Sequence, residues 1–192
     1  KWSWKIARVA GIDVEIHTTF FLLIIWLGVS YWLVDRSLVA TANGLVYVLG
    51  LFLCVLLHEF GHALVARRYG IQTKGITLLP IGGVAQLERM PDEPKQELWV
   101  ALAGPLVNLV IAGGLAVVLL LTKGWTSLAL TNLTAGSLVE RFLVVNVFLA
   151  LFNLIPAFPM DGGRVVRAGQ EVGMADGVLF EVVDFGGQVE AR

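Results

Sequence analysis

The chain has 192 residues, 57% of them hydrophobic and 15% charged. With 14 basic against 15 acidic residues, a net charge of −1 and no block of Lys or Arg, it carries no electrostatic footprint for nucleic acid. A mean hydropathy of +0.78 excludes an ordinary water-soluble domain, and the single cysteine excludes an intramolecular disulfide.

The charges are unevenly spread. Ile16–Val34, Leu98–Leu121 and Phe142–Met160 contain no Asp, Glu, Lys or Arg, and Gly44–Ala66 contains only Glu59. About 20 helical residues rising ~1.5 Å each cross the ~30 Å hydrocarbon core, so each run predicts a membrane span. Four such runs leave too little sequence to bury them in a soluble core, and the first lacks the small-residue cleavage site of a signal peptide. The expected fold is an all-α polytopic membrane protein with about four transmembrane helices and a small membrane-surface β element between the second and third.

In chain order, His17 opens the first span beside Thr18 and Thr19 and reads as an interfacial hydrogen-bonding residue. Cys54, inside the second run, reads as a small packing residue. After that run, ITLLPIGGVAQLE at Ile76–Glu88 alternates short apolar stretches with Pro80 and Gly82–Gly83, which predicts strands around a tight turn. Arg89–Glu97, with Pro91 and Pro94, reads as a polar surface loop before the third span. Asn146 in the fourth run is expected to bond a neighbouring helix. Gly169–Arg192 is a tail without an assignable fold, offering one strand-like stretch at Val178–Phe185. Lys and Arg cluster before the first run, in the second connection and after the fourth run. The positive-inside tendency therefore predicts that the N-terminus, the second connection and the tail face the cytoplasm.

The second run ends in LLHEFGHALVA, placing His58, Glu59 and His62 where helical periodicity and lipid both favour apolar residues. Histidines four apart share one helix face and can direct both imidazoles at a single Zn²⁺, with Glu59 within reach of an attacking water. A carboxylate at mid-helix costs roughly 2.5–3.5 kcal/mol in a bilayer, so such residues normally face an interior site. A catalytic zinc normally has three protein ligands, and the third is supplied by NLIPAFPMDGGR at Asn153–Arg164. There Asp161 follows an apolar run, and Pro156, Pro159 and Gly162–Gly163 allow irregular backbone to hold it at membrane depth.

HEFGH at 58–62 and NLIPAFPMDGG at 153–163 together resemble the paired signatures of the site-2 protease family of intramembrane zinc metalloproteases. LLPIGGVA at 78–85 and AGPLVN at 103–108 are similar to that family as well, so the likeness covers roughly residues 5–168. A second connection too short for a PDZ domain matches the compact archaeal and bacterial branch. The resemblance implies one Zn²⁺ per chain on His58, His62 and Asp161, with Glu59 as general acid/base. It implies Asn108 as a substrate-positioning or oxyanion residue, Asn153 in the same region and as a brace for Asp161, and Gly82 and Gly83 beside the substrate. The implied substrate is a transmembrane protein, such as a membrane-tethered transcription factor or anti-sigma factor. Residues 1–168 form the expected metalloprotease core and 169–192 the tail; family members commonly continue with further spans or a nucleotide-sensing domain at that point.

The competing reading is a non-hydrolytic metal-binding membrane protein, either a zinc transporter or a degenerate protease. Glu59 discriminates between them, because a transporter has no evident need for a carboxylate between two ligands. A purely structural four-helix membrane protein leaves all three predicted ligands unexplained.

Overall fold

The computed structural model describes residues 2–89, 91, 93–123, 136–156 and 161–175. Two strands open it, β1 Ser3–Val9 and β2 Ile12–His17. Ala10 and Gly11 between them both have positive φ, 51° and 83°, the geometry of a two-residue hairpin turn that follows strand twist. Across the hairpin Lys5 bonds Asp13 at 2.6 Å and holds its carboxyl below the ordinary carboxylate range. Ile12 and Val14 are buried while β1 is almost wholly exposed, so the alternation in β2 faces a core.

Helix α1, Thr18–Asp35, starts where the His17 Nδ1 accepts from the Thr19 N–H, and it stops at Arg36, whose φ is 48°. Ser37 then caps α2, Leu38–Arg68, by accepting from the Ala40 N–H, so the two helices fold back on each other through a minimal turn. Strands β3, Thr73–Leu79, and β4, Gly82–Leu87, follow. The sheet order is β1-β2-β3-β4, with β2 and β3 parallel and the outer pairs antiparallel. Ile12, Val14 and Ile76 press from the sheet onto Phe60 and Ala63 of α2.

Helix α3, Pro94–Lys123, is followed by α4, Leu138–Asn153, and α5, Asp161–Ala175. Ser137 and Glu140 form a reciprocal capping box at the start of α4. Leu154 closes it with an N–H bond to the Ala150 carbonyl, just ahead of Ile155–Pro156, where the residue before proline resists helix.

Three sequence expectations change, and a fourth, the span count, is matched in part. The β element lies between α2 and α3 as predicted, but two of its four strands precede the first helix, and Ile16 and His17 belong to β2 rather than to a span. Arg89–Glu97 is not loop throughout, since α3 begins at Pro94, a residue suited to the first helical position because that N–H has no helical partner. Among the described residues three helices, α1, α2 and α3, are long and apolar enough to cross a membrane. The fourth run, Phe142–Met160, yields the 16-residue α4, roughly 24 Å long and several ångströms short of a full crossing. Residues 157–160 of that run, and the strand-like stretch at 178–185, lie outside the described residues.

Candidate metal centre

One helical turn separates His58 from His62 on α2, with His58 ten residues or roughly 15 Å from the end of the helix at Arg68. Both rings are buried, each 5% exposed. Asp161, the first residue of α5, reaches them across the fold: its Oδ2 is 3.1 Å from His58 Nε2 and 3.1 Å from His62 Nε2. The two Nε2 atoms are themselves 3.1 Å apart, so three ligand atoms form an equilateral triangle. A tetrahedral zinc with ligands at 2.0–2.1 Å has ligand–ligand edges of roughly 3.3 Å, and two imidazoles with one carboxylate are a zinc donor set. His62 Nδ1 donates to the Val100 carbonyl at 2.7 Å, which turns the Nε2 lone pair toward the centre. Convergent lone pairs at this spacing repel unless a proton or a cation lies among them, so the chemistry of the triangle fits a metal ion.

The third helix passes close enough to shape the site because two glycines allow it. A Cβ on Gly104 would lie 2.6 Å from His58 Nε2, and one on Gly61 would lie 2.7 Å from the Ala103 carbonyl oxygen. Asn108, one turn beyond Gly104, is fully buried with its amide nitrogen 3.1 Å from His58 Nδ1.

Asp161 is held by the docking of α5 on α3. Glu97, buried in the first turn of α3, is ion-paired with Arg167 and lies 3.7 Å from the Arg164 Nε. Gly162 lets the start of α5 run against the Leu154 and Ile155 carbonyls, where a Cβ has no room.

Glu59 is next to His58 in the chain and faces a cavity of about 210 Å³, which the two line together with Gly82, Gly83, Asn108 and Asn153. A Cβ on Gly83 would come within 2.7 Å of Glu59 Cγ, so glycine is what lets β4 lie beside the carboxylate. A larger recess of about 370 Å³, between the Ala10–Gly11 turn and Arg67–Thr73, is lined by no histidine or acid and is remote from this chemistry.

All the predicted site residues therefore gather in one place: His58, His62 and Asp161 at the triangle, and Glu59, Gly82, Gly83, Asn108 and Asn153 around the cavity beside it. The Asn153 amide donates to Leu149 of its own helix at 2.9 Å rather than bracing Asp161. Outside the site, Asn146 reaches across to α2 as expected, its amide donating to Cys54 Sγ at 3.3 Å. Cys54 is buried and stands apart from the metal-ligand triangle, and His17 serves as a helix cap.

Sequence reasoning missed the Val100 carbonyl, the Glu97 clamp and the spacing role of Gly104 and Gly61. Gly104–Pro105 left a readable trace, because a glycine and a proline together cost about 4 kcal/mol of helix propensity in mid-helix and point to a close approach. A backbone carbonyl leaves none.

Comparison with known proteins agrees with this geometry. Residues 46–137 and 126–175 match the family described as Peptidase family M50, and the chain belongs to that family. It is 39% identical over 168 residues to a zinc metalloprotease of Methanocaldococcus jannaschii, covering 87% of this chain and 45% of the relative. It is 32% identical over 125 residues to the stage IV sporulation protein FB of Bacillus subtilis, covering 62% of this chain and 38% of that protein. The chain thus spans less than half the length of these relatives. Among solved structures it is similar to the site-2 protease from Methanocaldococcus jannaschii, with a TM-score of 0.61 and 36% identity over 89% of this chain and 73% of that one.

Proposed function

We propose that this chain is a zinc-dependent intramembrane endopeptidase that cleaves the transmembrane segments of membrane-tethered regulatory proteins. The observation that carries the reading is the 3.1 Å triangle of His58, His62 and Asp161 with Glu59 at its side, facing a cavity bounded by the β3–β4 turn. His58, His62 and Asp161 would hold one Zn²⁺, which would supply Lewis acidity toward a peptide carbonyl and lower the pKa of a water nucleophile. Glu59 takes the proton of the attacking water and returns it to the leaving amine. Asn153, Gly82 and Gly83 border the space for the substrate backbone.

A helical substrate hides its peptide bonds and must unwind before attack. Strand β4 pairs only with β3 among the described residues, so its outer edge is suited to hold an unwound segment by backbone hydrogen bonds. Residues 1–168 are the metalloprotease core and 169–192 its tail, with α5 running across that boundary to Ala175 and α4 as a short fourth crossing in the bilayer. The N-terminal strands and the second connection share one sheet and, with the last turn of α2, carry Lys5, Arg8, Arg67, Arg68 and Lys74, which supports a cytoplasmic N-terminus and a site opening to the cytoplasm.

The test is co-expression with a single-span reporter, comparing wild type with Glu59→Gln. Cleavage is expected to fall by about 10²- to 10⁴-fold with bound zinc retained. Undiminished cleavage removes Glu59 from the chemistry. Zinc passage across vesicles without proteolysis by the wild type makes the chain a transporter.

A further inference from the structure

We infer that Asn108 is a positioning residue that sets the tautomer of His58, so that the two zinc-binding histidines are each steered from behind by a different group of α3. The inference rests on the proposed zinc site and deepens it.

The two imidazoles face the same centre through Nε2, and each has one further nitrogen, Nδ1, turned away from it. For His62 that nitrogen donates to the Val100 carbonyl at 2.7 Å, and a carbonyl can only accept, so the tautomer is determined. For His58 the facing group is the Asn108 side chain, 3.1 Å away and fully buried. An amide, unlike a carbonyl, offers a donor on one side and an acceptor on the other.

With Asn108 Nδ2 toward His58, Nδ1 must accept and the ring proton sits on Nε2, the atom that points at His62 and Asp161. Asn108 Oδ1 is then buried without a partner. Turning the amide by half a turn exchanges nitrogen and oxygen at nearly constant shape. Oδ1 then accepts from Nδ1–H, Nδ2 takes the place the oxygen held, and the His58 Nε2 lone pair is released to the centre. Only this second arrangement leaves both histidines able to ligate through Nε2. Asn108 is therefore the counterpart of the Val100 carbonyl, with a side chain standing where the backbone serves the other ligand, and outer partners of this kind typically contribute about 10- to 100-fold to metal affinity.

The experiment compares wild type, Asn108→Leu and Asn108→Asp as full chains in detergent, reading zinc affinity by chelator competition and the visible spectrum of the Co²⁺-substituted protein. Asn108→Leu is expected to bind zinc about 10- to 100-fold more weakly and to shift the Co²⁺ bands, while Asn108→Asp, which keeps an acceptor oxygen, restores both. Unchanged affinity and spectrum in Asn108→Leu, with a fall in turnover at saturating zinc, overturns the inference and makes Asn108 a substrate or oxyanion group. Nitrogen NMR of histidine-labelled, zinc-loaded wild type tests it without any substitution: His58 is expected to be protonated at Nδ1, and a bare or metal-bound Nδ1 overturns it. Failure of the wild type to bind zinc at all refutes the function proposed above and this inference with it, whereas zinc binding with a bare Nδ1 refutes this inference alone.

Discussion

The two halves of α2 are one continuous helix doing opposite things. From Leu38 to Leu51 no residue is fully buried, and Leu38, Val39, Val46 and Leu49 stand exposed on its surface, as lipid-facing side chains do. From Phe52 to Ala66 eight residues are buried, among them both histidines, Gly61 and Ala63. Lipid tails are as apolar as leucine, so burial in this half is not driven by expelling water; it follows from small residues that admit close neighbours and from polar groups that need partners. The first half anchors the helix in the bilayer, and the second half builds a site.

Substitutions that exploit this contrast fall in a clear order. Asp161→Ala removes the one carboxylate facing the histidine pair and is expected to reduce zinc affinity by more than about 100-fold, measured by metal analysis after equilibration with a competing chelator. Glu97→Ala leaves Arg167 beside a site it no longer pairs with. Removing one partner of a buried ion pair typically costs about 3–5 kcal/mol, here discounted because Arg167 is more than half exposed. The expected readout is a loosened α5, seen as faster amide exchange over residues 161–175. Gly61→Leu forces α2 and α3 apart at the Ala103 carbonyl and is expected to destabilise by about 1–3 kcal/mol, seen as a lowered melting temperature in detergent. Leu49→Ala, in the other half, is expected to change stability by less than about 0.5 kcal/mol in the same assay. A large effect at Leu49, or none at Gly61, breaks the distinction between the two halves.

The functional half was the more legible in sequence, because His58, Glu59 and His62 violate the apolar pattern around them and Asp161 follows a proline-broken run. The strands at 76–88 announced themselves through Pro80 and the paired glycines. The N-terminal hairpin did not: its turn is Ala10–Gly11, a weak signal, and β2 runs into α1 with no charged residue, Gly or Pro between them, so Ile16 merged with the first apolar run. The start of α3 was misplaced because Pro94 reads equally as a loop residue or a first helical residue. The end of the fourth run was misjudged, since hydropathy continues to Met160 while α4 stops at Asn153. Helix α5 was unreadable because Gly162 and Gly163 suppress helix propensity in its first turn, and its support comes from Glu97, which lies 70 positions away from Arg167. Contacts between distant segments leave no local periodicity to read.

His58 and Asp161 lie 103 positions apart, on segments that leave the ribosome at different times. A nascent chain that has delivered α1 to α4 holds two imidazoles and no carboxylate opposite them, so its ligand triangle is still open. The triangle closes only when α5 seats itself against α3, and a complete metal centre in this architecture is accordingly a late reward for finished assembly.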